Sequence, residues 1–197
     1  MTLEVDAGVL ALQGDTAEHV AALRHAGARS VREVRRPRDL EGVTALVLPG
    51  GESTTIGKLM VEYGLDGPLR ARGGRDLALF GTCAGMILLA TEIEGREQPH
   101  LGLLPCTVHR NAYGRQVDSF ETEISAPAVS SSPLWGVFIR APRIESVGAG
   151  VDVLASLKGH PVLCQRGKIL ASSFHPEISG DPALHRYFLQ MAMDVAR

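Results

Sequence analysis

Three short runs in the first half of the chain are apolar at consecutive positions: Val9-Leu10-Ala11-Leu12, Ala45-Leu46-Val47-Leu48 and Leu77-Ala78-Leu79-Phe80. A strand with one face in water alternates between apolar and polar residues. A run that does not alternate fits a parallel sheet covered on both faces. Each run ends in glycine-containing turn chemistry, at Gln13-Gly14, Pro49-Gly50-Gly51 and Gly81. A helical pattern follows each turn. Asp15 or Thr16 can cap a helix running to about His25, with Gly27 as its stop. Thr54 or Thr55 opens a second helix through Met60 to Tyr63, ending at Gly64. Ala84 to Ile93 reads as a third, buried on most sides.

The second half changes character. Short strand candidates follow at close spacing: Val117 to Ile124, Gly136 to Ile139, Ile144 to Val147, Val153 to Leu157, Pro161 to Gln165 and Ile169 to Phe174. Leu184 to Val195 reads as a terminal amphipathic helix. The pattern predicts an α/β three-layer sandwich. A mostly parallel central sheet has helices on both faces and carries an antiparallel extension. One domain spans residues 1–197. Ligands on such sheets bind beyond the carboxyl ends of the strands, where the three glycine-rich turns lie.

Composition changes this picture little. The chain has 197 residues, 45% hydrophobic and 21% charged, with a formal net charge of −2. That balance excludes a strong field toward nucleic acid or an anionic membrane. Arg32, Arg35, Arg36 and Arg38 cluster, but Glu33 and Asp39 sit among them, which reads as a solvated face. Three widely spaced cysteines, Cys83, Cys106 and Cys164, are not a disulfide framework, and no CxxC pair suggests zinc. A reducing, cytoplasmic setting is the default. Glu4 and Asp6 stand where a secretion signal would be basic. The longest apolar stretch, Leu77 to Ala90, is too short to span a bilayer.

The sharpest chemical signal is Gly81-Thr82-Cys83-Ala84-Gly85. Small residues around Cys83 allow a tight strand-to-helix turn that pushes the sulfur outward, the elbow logic of serine hydrolases with cysteine as nucleophile. The helix start behind it offers unpaired N–H groups and a partial positive charge, and the Ala84 N–H points where an oxyanion would form. The competing reading is a buried structural cysteine. A nucleophile needs a base, and the base an orienting group. Phe174-His175-Pro176-Glu177 offers both, because residues two apart in an extended segment face the same way. His19, His25 and His185 read instead as residues on helical surfaces.

Pro49-Gly50-Gly51-Glu52-Ser53-Thr54 is the third piece. A glycine pair after a strand lets backbone approach a ligand, and Gly51 is the expected second oxyanion donor. Gly51 to Lys58 superficially suggests a phosphate-binding loop. The spacing to Gly57 is one residue too long, and Leu59 replaces the residue that would hold magnesium.

Strand–PGG, GTCAG and HPE in this order resemble the triad class of glutamine amidotransferases. Further stretches narrow the match: Gly8 to Gly14 with Glu18-His19, Pro49 to Thr55, Arg110 to Phe120 (RNAYGRQVDSF), Val137 to Pro142, and Ser173 to Glu177. Over nearly the whole chain they are similar to the glutaminase-subunit family of the two-component pyridoxal 5′-phosphate synthase. The resemblance implies the flavodoxin-like fold of that class and hydrolysis of glutamine to glutamate and ammonia. It implies a partner, a (β/α)₈ synthase subunit in a large hetero-oligomer. That subunit joins the ammonia with ribose 5-phosphate (or ribulose 5-phosphate) and glyceraldehyde 3-phosphate. Cys83, His175 and Glu177 match the family's triad. Gly51, Glu52, Ser53, Arg110, Ile139 and Arg140 match its glutamine-contacting positions. No metal or organic cofactor is implied; pyridoxal phosphate is the product of the whole complex. Arg110 or Arg140 suits the α-carboxylate of glutamine, in fork geometry, and Glu52 the α-ammonium. The alternatives are a glutaminase serving another synthase, a stand-alone γ-glutamyl cysteine hydrolase, and a catalytically silent binding module.

Overall fold

The computed structural model describes residues 2–95, 97–110 and 119–193. Asn111 to Asp118, most of the RNAYGRQVDSF stretch, lie outside them, as do Asp194 and Val195 at the end of the expected terminal helix. Among the described residues, twelve strands and five α-helices follow in chain order. They are β1 (Leu3–Leu10), α1 (Thr16–Ala26), β2 (Ala28–Val34), β3 (Ala45–Leu48), α2 (Ser53–Glu62), α3 (Asp66–Arg72), β4 (Ala78–Thr82), α4 (Ala84–Leu89), β5 (Ala90–Glu94), β6 (Leu104–His109), β7 (Ser119–Ile124), β8 (Leu134–Ile139), β9 (Arg143–Val147), β10 (Asp152–Leu157), β11 (His160–Arg166), β12 (Ile169–Ser172) and α5 (Ala183–Met193).

The main sheet runs β10-β11-β12-β4-β3-β1-β2. From β12 to β2 every pairing is parallel, while β11 and β10 add antiparallel strands at one edge. This is the flavodoxin-like order with the expected antiparallel extension. A three-stranded β5-β6-β9 sheet and a β7-β8 hairpin complete it. β3 and β4 are buried at every position. One apolar cluster packs Ile56, Met60 and Leu88 against one face of the sheet. The other packs Leu23, Phe188 and Leu189 against the opposite face. α1 ends as the sequence predicts, with Gly27 in the left-handed region at φ 99°. No helix among the described residues is long and apolar enough to cross a membrane.

Several expectations are corrected. The helix from Ala84 stops at Leu89. Ala90 turns to extended backbone at ψ 146°, and the chain continues as β5, where Thr91 and Ile93 favour a strand. β1 begins at Leu3 rather than Val9, because Glu4 and Asp6 are accommodated by Arg29 of β2, which donates to both. β2 is itself unexpected. It is an edge strand, and its charges blunt that edge, which hides the strand from a reading of hydrophobic pattern. His19 and His185 do not lie on helical surfaces; both are fully buried, on the inward faces of α1 and α5.

Candidate functional site

The carboxyl ends of β1, β3, β4 and β12 converge on a cavity of about 450 Å³, a size that suits an amino acid. Cys83 is the residue between β4 and α4, with φ 48° and ψ −102°. A non-glycine residue in that region carries strain on the order of 1–3 kcal/mol, which the surrounding fold must impose. The imposing groups are visible. A Cβ at Gly85 would lie 1.9 Å from the Leu48 carbonyl oxygen, and one at Gly81 2.5 Å from Gly85 backbone. Bare glycines let β4, the elbow and the end of β3 close on one another. The Cys83 N–H donates to Ser172 O at 2.9 Å, tying the elbow to β12.

His175 follows β12, and its N–H donates to Val137 O of β8 at 2.8 Å. Nδ1 lies 2.7 Å from Glu177 Oε1 and 3.2 Å from Asp15 Oδ2. Cys83 and the ring line the same cavity. Burial opposes charge on this ring, but its interactions with Asp15, Cys83 and Glu177 outweigh it and raise its pKa well above the ordinary value. Burial raises the Glu177 carboxyl, partly offset by the hydrogen bond and charge of His175. Glu177 is not on an extended segment as expected. Pro176 sits at the first position of a one-turn 3₁₀ helix, Pro176–Ile178. That turn swings the carboxylate behind the ring, where it is buried.

Gly51, Glu52, Ser53, Ala84, Arg110, Ile139 and Arg140 all line the cavity together with Cys83 and His175. Gly51 has φ 146°, in the region that favours glycine. The Gly50 carbonyl accepts from the Asp15 N–H at 3.2 Å. Because C=O and N–H are antiparallel across a trans peptide, the Gly51 N–H faces away from the β1–α1 turn. Ala84 opens α4, so its N–H is among those without an intrahelical partner. The Ile139 carbonyl lies 4.0 Å from Cys83 Sγ. Arg140 is exposed, with no ion-pair partner among the described residues.

Glu52 is more engaged than the sequence suggests. It caps α2, accepting from the Thr54 and Thr55 N–H groups at 3.2 and 2.7 Å and from Thr55 Oγ1 at 2.8 Å. Burial works against its charge, but these bonds outweigh it and lower the pKa to about 2. Arg110 Nη2 donates to its Oε1 at 3.0 Å, and Nη1 to Gln98 Oε1 and Thr54 Oγ1 at 2.8 and 3.0 Å. Ser53 turns its hydroxyl to the same Gln98 oxygen at 3.2 Å. Gln98 anchors this network, and no local motif in the sequence marks it. Asp15, a helix cap by its position in the sequence, makes no side-chain capping bond; its carboxylate sits on His175 instead. Gln13 lines the cavity and accepts the Glu52 N–H at 2.8 Å.

The three cysteines divide clearly. Cys106 and Cys164 are buried away from the cavity, and desolvation pushes each thiol up to about 12. Cys83 alone reaches the cavity.

A family model described as the SNO glutamine amidotransferase family matches residues 9–194. Pyridoxal 5′-phosphate synthase subunit PdxT of Thermus thermophilus is 58% identical over 187 residues, 94% of this chain and 96% of that protein. PdxT of Mycolicibacterium vanbaalenii is 55% identical, covering 92% of this chain and 95% of that one. A crystal structure of a glutamine amidotransferase superposes with a TM-score of 0.90 at 56% identity, covering 95% of this chain and 98% of the other. The structure of PurLQS from Thermotoga maritima shares the fold at TM-score 0.68 and 14% identity, covering 100% of both chains.

Proposed function

The chain belongs to the SNO glutamine amidotransferase family, and on that premise we propose that Cys83, His175 and Glu177 form its catalytic triad. It is a glutamine-hydrolysing subunit of a pyridoxal 5′-phosphate synthase. The observation that carries the triad is the strained elbow at Cys83, facing an imidazole that Glu177 holds from behind at 2.7 Å.

The course is nucleophilic. The Cys83 sulfur attacks the side-chain amide carbon of glutamine, and the oxyanion is held by the N–H groups of Gly51 and Ala84. His175, kept charged by the carboxylates on Nδ1, gives a proton to the departing ammonia. It then takes one from the water that releases glutamate. The Arg110–Glu52 pair presents adjacent positive and negative charge to the α-carboxylate and α-ammonium of the substrate. Ser53, Ile139 and Arg140 complete the glutamine site. The chemistry needs no metal or organic cofactor. The ammonia passes to a (β/α)₈ synthase subunit, in a cytoplasmic hetero-oligomer, which combines it with ribose 5-phosphate and glyceraldehyde 3-phosphate.

Glutamine hydrolysis by Cys83→Ala, measured with and without the synthase subunit, tests this reading. Loss of turnover with an unchanged circular dichroism spectrum is expected. Near-normal turnover would overturn it.

A further inference from the structure

The polar network does not stop at Glu177. His19 on α1 stands behind it, with Thr82 at the end of β4 and His185 on α5 against His19, and all three are 0% exposed. His19 Nε2 is 3.0 Å from Thr82 Oγ1 and 3.4 Å from Glu177 Oε2. His19 Nδ1 is 3.0 Å from His185 Nε2. Glu177 Oε1 faces His175, while Oε2 is sealed from water and makes no hydrogen bond of normal length, with His19 Nε2 standing 3.4 Å away. Three elements from distant parts of the chain thus form one buried polar chain that reaches the carboxylate through His19.

The distances restrict where the hydrogens sit. A neutral imidazole has one N–H and one acceptor. Were the His19 hydrogen on Nδ1, it would point at His185 Nε2. The His185 hydrogen would then be on Nδ1, which has no partner, and Glu177 Oε2 would meet a lone pair. With both hydrogens on Nε2, His185 donates to His19, and His19 directs its N–H toward Thr82 Oγ1 and Glu177 Oε2. The one unmet atom is then an acceptor lone pair, which folds tolerate better than a buried orphan N–H. Burial holds both rings neutral, lowering their pKa values.

We propose that His19 is a positioning residue for the glutaminase reaction: its Nε2–H fixes the second carboxylate oxygen of Glu177, and His185 sets the tautomer that makes this possible. The inference rests on the triad reading. Glu177 can orient His175 only if its own plane is fixed, and since Oε2 makes no hydrogen bond of normal length, the His19 Nε2 approach at 3.4 Å is the contact left to fix it. The titratable groups facing this assembly are His175 and Glu177 on the turn after β12, His185 on α5, and Asp15 and Cys83 across the His175 ring.

Steady-state glutamine hydrolysis by the full chain with its synthase partner tests it, comparing His19→Met, His19→Gln and Glu177→Gln. His19→Met removes the donor and keeps volume. It should lower kcat about 10- to 100-fold through misorientation of the base, leave KM within about twofold, and move the alkaline limb of the kcat/KM profile to lower pH. His19→Gln, whose amide nitrogen reaches the position of Nε2, should restore most of kcat and the limb. Nitrogen NMR of His19 in the folded chain should show the neutral form protonated at Nε2. The inference falls if His19→Met keeps the wild-type kcat and pH profile, if His19→Gln is as impaired as His19→Met, or if His19 is protonated at Nδ1. Substantial turnover by Glu177→Gln would instead overturn the triad. An inactive Glu177→Gln beside an unaffected His19→Met would overturn this inference alone.

Discussion

The two walls of the cavity are built in different ways. The wall with Cys83, His175 and Glu177 is backbone geometry and burial. A strained elbow is pressed into shape by Leu48, Gly81 and Gly85, and the imidazole is clamped between a buried carboxylate and the sheet. The wall with Glu52, Arg110 and Gln98 is side-chain pairing at a half-open rim, where each charge is held by its neighbours. The first wall tolerates almost no change in volume; the second can lose a partner and still fold. On the proposed assignment, reactivity depends on packing and recognition on charge.

The sharpest break in that contrast is a single methyl group. Gly85→Ala places a Cβ 1.9 Å from the Leu48 carbonyl oxygen, a backbone atom that cannot swing aside, so the end of β3 must move. The expected cost is about 3 kcal/mol or more in denaturant unfolding, with loss of glutamine turnover. Gly67, in the first turn of α3, has nothing within 4 Å of an added Cβ. Gly67→Ala should leave turnover intact and change stability by less than about 1 kcal/mol, because the helix-propensity gain of alanine is opposed by Pro68 on its carboxyl side. An equal effect of the two changes would refute the crowding argument.

The buried wall should also be the pH-sensitive one. His185 is fully buried, and desolvation lowers its pKa from 6.5 to about 4. The unfolded chain then binds a proton that the folded chain refuses, so stability is lost as pH falls from about 6.5 toward 4. The loss from this residue is about 3 kcal/mol at most. Unfolding free energy measured across that window should fall less steeply in His185→Gln. At the rim the expected effect is kinetic. Arg110→Met removes the cation and leaves Glu52 without its partner, so KM for glutamine should rise about 10- to 100-fold with kcat little changed. The exposed Arg140→Met should raise KM only a few-fold. Reversed magnitudes would assign the α-carboxylate to Arg140.

The same contrast decides what is legible in the sequence. That Cys83 and His175 share a cavity and Glu177 stands on the ring can be read because each sits in a short motif whose spacing encodes geometry, glycines about a strand end and a proline beside an imidazole. The parallel strands are readable because burial on both faces leaves continuous apolar runs. β2 is not, because an edge strand needs no apolar run and Arg29 and Arg32 serve it better. The Arg110–Gln98–Glu52 network joins residues 12 to 58 positions apart, so no local pattern announces it. His19 misleads for a related reason. A histidine on a helix is ordinarily a surface residue, and only the arrival of α5 and β4 from elsewhere in the chain makes this one a buried partner of Glu177.

The finest test lies where the two walls meet. Asp15 comes from the β1–α1 turn at the rim, yet its carboxylate stands 3.2 Å from the nitrogen of His175 that Glu177 also holds. One N–H thus faces two carboxylates, and the nearer, buried Glu177 is the stronger hold. Asp15 nevertheless adds negative charge that favours the imidazolium. Asp15→Asn keeps the size and removes the charge, so the pKa of His175 should fall. The proton meant for the leaving ammonia is then lost earlier as pH rises. The alkaline limb of kcat/KM should move down by about one pH unit or less, because Asp15 is part-exposed and screened. At neutral pH, kcat should change only a few-fold, far less than in Glu177→Gln. A limb that stays in place would mean that Glu177 alone sets the charge of the base, and that the rim contributes nothing to the chemistry.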